Sequence, residues 1–318
     1  MISESFIIDK YLRPLSKNFK DSLNLSDDAA VLKNLKNKNF IISVDNFIYG
    51  VHCPKFINIS HAVKRAILVA ISDLSAMAAK PYCIFLSITL NKSLNVQLLE
   101  DLSLGIKKAL YLTKTELAGG DLCSSKGPIS FSVTAVGESK KIKTLRRKGA
   151  KPGELLCVTG NIGDAKIGLD NLIRNKVKIN SQLNDYFVRK FLIPPFRSKF
   201  TIDASKYISS CIDISDGLIE DASKLAKNSN CGLEFFLKDI PFSIKAKKLI
   251  KNTSLSARDL LNAGDDYELA FSINHDKIKN LKDIGKKNNV KISVIGKFKK
   301  ESVVNIHSNT FFKGYSHF

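Results

Sequence analysis

What the chain lacks narrows it first. Its six cysteines, Cys53, Cys83, Cys123, Cys157, Cys211 and Cys231, form no C-x-x-C pair. They are scattered, mostly in apolar strand-like runs, which argues against a disulfide framework or a zinc site and for a reducing cytoplasm. No stretch approaches the ~18 apolar residues that a membrane span needs. The opening MISESFIIDKYLRPL has no basic segment leading into a continuous apolar core, so no signal peptide is expected. There is no G-x-x-x-x-G-K-[ST] loop and no protein-kinase motif set, which excludes both of those nucleotide-binding architectures. Acids are scarce too: 30 Asp+Glu face 50 Lys+Arg, for a formal charge of +20.

That charge would suit a nucleic-acid binder. Most lysines, however, are dispersed through helices such as KIKNLKDIGKKNN, where they read as a solvated face. Lysine, asparagine and isoleucine are abundant together, as a bias of the source would produce. The one dense cluster, KKIKTLRRKGAK at 140–151, adjoins the turn Lys151-Pro152-Gly153 and reads as a connector. At 318 residues, with 44% hydrophobic and 25% charged residues, the chain is globular and long enough for two domains, 1–150 and 151–318. Both halves read as α+β units without the regular alternation of a doubly wound sheet. Strands are predicted at FIISVDN, YCIFLSITL, TELAGG and ISFSVTAVG, then at ELLCVTG, SSCIDIS, GLEFFL, YELAFSI and KISVIGKF. Helices are predicted at SHAVKRAILVAISDLSAMAA, NVQLLEDLSLGIKKALYLT, DAKIGLDNLI, DGLIEDASKLAKN and KIKNLKDIGKKN. Ser60 is a plausible N-cap for the first, with Pro81 after its end.

Against this basic background six aspartates occupy awkward places: Asp28, Asp45, Asp73, Asp121, Asp213 and Asp216. Helical periodicity puts Asp73 on one face with Ala66, Ala70 and Met77, the expected buried stripe. An ionised carboxylate there is costly unless paired or metal-bound. Asp45 ends the run FIISV and so reaches a strand end where loops gather. Asp121 follows Gly119-Gly120, which makes either an ordinary tight turn or a close approach to an anion. In CIDISDG a strand runs through Asp213 into a helix start. Unpaired N–H groups there would favour an anion, with Ser215 donating to phosphate, although Ser215 and Asp216 also suit plain helix caps. Of Asp27-Asp28 in the SDDA turn, one side chain is expected to point away. Acidic side chains converging from distant segments suit Mg²⁺, a hard cation that takes oxygen ligands completed by water and phosphate.

The segments SDDAAVL, ISVDNFIYGVH, ISDLSAMAAKP, LAGGD, RKGAKPGELLCVTGNIGD, IDISDGLIED, AGDDYELAF and FKGYSHF stand in an order and spacing that resembles the thiamine-monophosphate kinases. The resemblance spans essentially the whole chain. The wider group holds aminoimidazole ribonucleotide synthetase, selenophosphate synthetase and a hydrogenase maturation protein. It implies an α+β, two-domain synthetase-like fold, with a ferredoxin-like N-terminal domain forming a homodimer and ATP held between the domains. It implies magnesium ligands at Asp28, Ser43, Val44, Asp45, Asp73, Asp121, Asp213 and Asp216. ATP contacts would be Gly120, Asp121, Arg147 and Ser215, and thiamine monophosphate contacts His52, Asp265 and Tyr315. Val44 stands where the family commonly has threonine, which leaves a backbone carbonyl as its donor. Asp265 replaces a usual glutamate and is one methylene shorter.

The implied reaction, ATP to thiamine monophosphate, needs no strong base, because the acceptor phosphate is largely dianionic above its second pKa of about 6. The obstacle is charge. At an effective dielectric of about 20, a unit-charge pair about 4 Å apart repels by roughly 4 kcal/mol. Several Mg²⁺ ions would offset that repulsion and align the reacting oxygens. The competing expectations are another ATP-using synthetase of the same group, or a basic nucleic-acid-binding protein. The latter would bind with steep salt dependence and have no use for these aspartates. No nucleic acid and no membrane are expected as partners.

Overall fold

The computed structural model describes residues 26–27, 30–35, 38–91, 95–140, 144–174, 180–301 and 304–305. Asp28 and Tyr315 lie outside them. Two sheets carry the chain. The first has the order β1-β2-β5-β3-β4, from β1 (Ala30–Leu35), β2 (Lys38–Ile48), β3 (Lys80–Asn91), β4 (Glu116–Ser125) and β5 (Ser130–Lys140). All its pairings are antiparallel except β3 with β4, whose parallel run needs the crossover helix α2 (Val96–Thr113) between them. The second has the order β11-β8-β10-β6-β9-β7, from β6 (Leu155–Thr159), β7 (Ile208–Asp213), β8 (Gly232–Phe235), β9 (Leu269–Ile273), β10 (Ile292–Lys299) and β11 (Val304–Asn305). Around it lie α3 (Asp164–Arg174), α4 (Ser181–Leu192), α5 (Ser198–Ala204), α6 (Leu218–Asn228), α7 (Ile244–Asn252), α8 (Ala257–Leu261) and α9 (Ile278–Lys287).

One helix joins the two sheets. α1 (Ile59–Ala76) lies on the first through Ala62, Ala66, Ile67, Ala70, Ile71 and Leu74, which share a core with Ile41, Phe131, Val133 and Ala135. It also touches the second unit: Ser72 Oγ donates to Asp213 at 2.7 Å, and the hydroxyls of Ser75 and Ser198 lie 2.8 Å apart. A helix covered on both sides reads as apolar all round. Every residue from 62 to 79 is buried except Asp73. The expectation that Asp73 shares the buried stripe is therefore corrected: there is no single stripe, and Asp73 marks the one half-open position in this stretch. The N-cap is Asn58, whose side chain accepts from Ser60 N at 2.8 Å, and not Ser60. Pro81 is the second residue of β3, placed before pairing with β4 begins at Cys83. Its missing N–H thus leaves no gap in that ladder.

Candidate functional site

The two units meet where strand ends and the last turns of α1 gather polar groups. On β2, Ser43 and Asp45 alternate with the exposed Val44, so they face α1 while Val44 faces outward. Ser43 Oγ donates to Asp73 Oδ2. Asp213 ends β7 and is buried, with Ser72 as its donor. Beyond the strands the pairing of β7 with β9 continues through loops. Ile214 N donates to Glu268 O at 2.8 Å, Tyr267 N to Ile214 O at 2.8 Å, and Asp265 N to Ser215 O at 2.9 Å. A Cβ on Gly264 would lie 1.9 Å from Ser215 O, so only glycine permits this approach. Asp265 and Tyr267 sit at φ 74° and 49°, left-handed conformations held by that zipper.

Arg65 of α1 supports the loop from beneath. It is 1% exposed, and its guanidinium donates to Phe191 O and to Asp265 Oδ1. It stacks 4.0 Å from the Phe191 ring centroid and 5.5 Å from that of Tyr267. Burial pushes the Tyr267 phenol well above its usual range, and Asp265, Asp45 and Asp213 push it further while Arg65 opposes them. Carboxylates from β2, from β7 and from the 263–268 loop therefore share one electrostatic neighbourhood.

His52 lies in the turn after β2, where its Nδ1 accepts from Ile48 N at 2.7 Å. That bond makes Nδ1 the acceptor and leaves Nε2 as the N–H donor of the neutral ring. Arg147 is held by its backbone, whose N–H donates to Asp27 Oδ1 at 2.8 Å. Asp27 is thus the structural member of the Asp27-Asp28 pair.

Two expectations change. The amides of Ser215, Asp216 and Gly217 are not free for a phosphate: all three donate to Asp221 Oδ2, at 3.0, 2.9 and 3.2 Å. Asp221 is buried, and that burial raises its carboxyl to about 6 even though Lys224 opposes the shift. Lys224 Nζ bridges Asp221 at 2.8 Å and Asp216 at 2.5 Å. Ser215 and Asp216 are not caps either, since Gly217 is the N-cap of α6. Second, Gly119, Gly120 and Asp121 do not end a strand or form a turn but lie inside β4. A Cβ on Gly120 would sit 1.9 Å from Leu86 O, so this glycine serves the β3–β4 approach. Asp121 aligns with Ser87, Ser132 and Asn46, the outward row of the sheet, whereas Asp45 aligns with Val133, Leu86 and Gly120 on the α1 side. Asp121 therefore stands apart from the seam.

The seam oxygens of Ser43, Asp45, Asp73 and Asp213 have the hardness that Mg²⁺ selects, and they come in pairs. Among the described residues no three His, Cys, Asp or Glu side chains close into a metal nest. An ion held by one or two carboxylates and completed by phosphate oxygens fits such pairs. Arg65, Tyr267, Ser72, Asp221 and Lys224 were not singled out from sequence. The only signal was a Lys-Arg pair inside the otherwise apolar HAVKRAILVAI.

Comparison with known proteins shows the family and the fold. Residues 26–139 match the family described as AIR synthase related protein, N-terminal domain, and residues 151–309 match its C-terminal domain. A thiamine-monophosphate kinase of Buchnera aphidicola from Schizaphis graminum is 36% identical over 92% of this chain and 90% of its own. A solved structure of AaThiL complexed with AMPPCP and TMP superposes with a TM-score of 0.86, at 26% identity, covering 100% of this chain and 97% of that one. The thiamine-monophosphate kinase of Stenotrophomonas maltophilia K279a gives 0.79, at 26% identity and 95% coverage of each chain.

Proposed function

Since the chain belongs to the thiamine-monophosphate kinase family, we propose that it transfers the γ-phosphoryl group of ATP to the phosphate of thiamine monophosphate, giving thiamine diphosphate. The observation that carries this reading is the convergence of Ser43, Asp45, Asp73 and Asp213 where the two units meet. Two polyanions brought together there need cations between them, and Mg²⁺ ions when bound would screen the repulsion and orient the oxygens. Asp73 is the opening in the otherwise buried stretch 62–79, so its carboxylate would be presented to a ligand while Ser43 fixes its direction. His52 would donate Nε2–H to an anionic group of the substrate, and Asp265 is held in place by Arg65. In this reading residues 1–150 supply most of the ATP and metal contacts and residues 151–318 complete the site. Arg147 contributes on the connecting stretch, with Gly120, Ser215 and Asp216 at its edges. Asp28 and Tyr315 would complete the metal and substrate contacts.

The same reading includes a homodimer. The outward face of the first sheet exposes Val44 and Phe85, and Asp121 shares it. Large apolar side chains gathered on one sheet face favour coverage by another surface, and a second copy is the partner proposed. No helix among the described residues is long and apolar enough to cross a membrane; we place the enzyme in the cytoplasm. The deciding experiment is a coupled assay of thiamine diphosphate formation from ATP and thiamine monophosphate, with and without EDTA. Formation that EDTA abolishes is expected. ATP turnover with no thiamine diphosphate product would instead assign the chain to another synthetase chemistry.

A further inference from the structure

On another flank of α1, three helices bring four basic side chains together. His61, Lys64 and Leu68 follow one another along one face. α2 crosses close by, because a Cβ on Gly105 would come within 2.3 Å of Ser60 O and 2.5 Å of Val63 Cγ1. One turn on from Gly105, Lys108 reaches the neighbourhood of Lys64, and Arg189 of α4 joins them. Lys64 is only 5% exposed, and its Nζ lies 3.4 Å from His61 Nδ1. Among the described residues none of the four forms an ion pair with a carboxylate. Burial, Lys108 and Arg189 all push the Lys64 ammonium down; burial, Lys64 and Lys108 do the same to His61. A buried ammonium beside like charges is unfavourable unless an anion joins it.

The cluster adjoins a cavity of about 480 Å³, which Arg189 lines together with Lys190. Leu68 and Leu112, one turn from Lys64 and Lys108, form part of its wall with Tyr186, Pro194 and Phe196, and Arg189 belongs to both cavity and cluster. The acids at its far end are already engaged. Asp164 accepts from Tyr186 Oη at 2.8 Å and Ser243 Oγ at 2.7 Å, Asp266 accepts from Gly163 N at 2.8 Å, and Glu268 is bound by Arg197 at 2.5 Å. The cavity thus has basic side chains on one side, an apolar and aromatic wall, and a floor of hydrogen-bonded acids of which Glu268 is paired with Arg197, in the size range of small-molecule sites.

We infer that this is a second ligand site, taking a small organic phosphate whose phosphate group is held by His61, Lys64, Lys108 and Arg189 and whose body lies against Leu68, Leu112 and Tyr186. It does not depend on the kinase reading. The test follows the His61 ring resonance of the full chain by NMR, assigned with His61→Gln, during titration with phenyl phosphate in EDTA. Saturable binding is expected, weakened at least about tenfold in Lys108→Gln/Arg189→Gln, the equivalent of about 1.4 kcal/mol. Both substituted side chains are exposed, and an unchanged thermal midpoint verifies the fold of the double variant. Asp213→Asn should leave the titration unaltered. A shift that never saturates up to about 10 mM, an ordinary weak-ion affinity, would overturn the site. So would equal affinity in the double variant, or binding lost in Asp213→Asn. Inorganic phosphate binding as tightly as phenyl phosphate would overturn the role of the cavity wall.

Discussion

The bond between Arg65 and Asp265 joins the two units across 200 positions of sequence, and breaking it should be felt in both stability and substrate binding. Arg65 is 1% exposed and Asp265 31%, so the pair is sealed at one end and wet at the other. Truncating one member of a fully buried pair costs about 3–5 kcal/mol. Solvent at Asp265 screens the charge, and we discount the pair to about 2 kcal/mol. Arg65→Met further removes the hydrogen bond to Phe191 O, about 1 kcal/mol, and the stacking over Phe191, about 1 kcal/mol. The expected loss is about 4 kcal/mol in denaturant unfolding. Asp265→Asn keeps the left-handed backbone accessible but strands the guanidinium, at about 2 kcal/mol. The double variant should therefore cost less than the sum of the singles by about 2 kcal/mol. In kinetics Arg65→Met should raise the KM for thiamine monophosphate more than that for ATP, since Asp265 is the proposed substrate contact. Single-variant losses that add to within about 0.5 kcal/mol would refute the coupling.

Three further outcomes follow from the seam and its supports. Asp73→Asn keeps shape at a half-open position, so the unfolding midpoint should hold while kcat/KM falls by at least about 100-fold, as when a transition-state charge stabiliser is removed; near-normal turnover at saturating Mg²⁺ would count against the metal assignment. Gly264→Ala would press a Cβ onto Ser215 O and should cost about 1–3 kcal/mol or more along with activity, whereas Gly127→Ala, whose Cβ would meet only Ser125 Oγ at 3.3 Å, should be silent. Burial raises the Asp164 carboxyl above its usual 3.8. Its contribution to stability is therefore complete below that value and is lost as pH rises through the raised folded value. The stability of Asp164→Asn relative to the parent should accordingly improve from acid toward neutral pH, and a difference that is flat or runs the other way in urea melts would show that Asp164 is not so perturbed.

Much of the frame was legible because it rests on local patterns. Apolar runs marked β2, β3, β5, β6, β7, β8, β9 and β10, and the long apolar-rich helices α1 and α2 were equally plain. The short helices α4, α5, α7 and α8 were missed. α7, IKAKKLIKN, buries only Ala246 and Leu249, too narrow a stripe to stand out in a lysine-rich segment. Asp73 was assigned to a buried stripe because periodicity assumes a one-sided helix, whereas α1 is covered on two sides and Asp73 is half-open. The family motifs led to the acids, but what sits beside each acid depends on the fold. Nothing local to HAVKRAILVAI says that Arg65 meets Asp265, and nothing in IDISDGLIED says that Asp221 takes the amides at the start of α6.

Those neighbours explain how a cluster of acids folds before any cation arrives. Ser43 donates to Asp73 and Ser72 to Asp213, while Arg65 pairs with Asp265 and Lys224 with Asp216. The two kinds of partner differ in what a metal ion must displace. A serine hydroxyl has lone pairs of its own, so it can turn and become a ligand beside the carboxylate it had served. An ammonium has none, and it must leave or stay as a competing charge. For the ions proposed above, the seam of Ser43, Asp45, Asp73 and Asp213 is therefore ready to accept a cation with its phosphate. Asp216 joins only when something anionic, such as the nucleotide's own phosphates, draws Lys224 away from it. On that argument the outer metal contact is made conditional on nucleotide by the chain's own lysine.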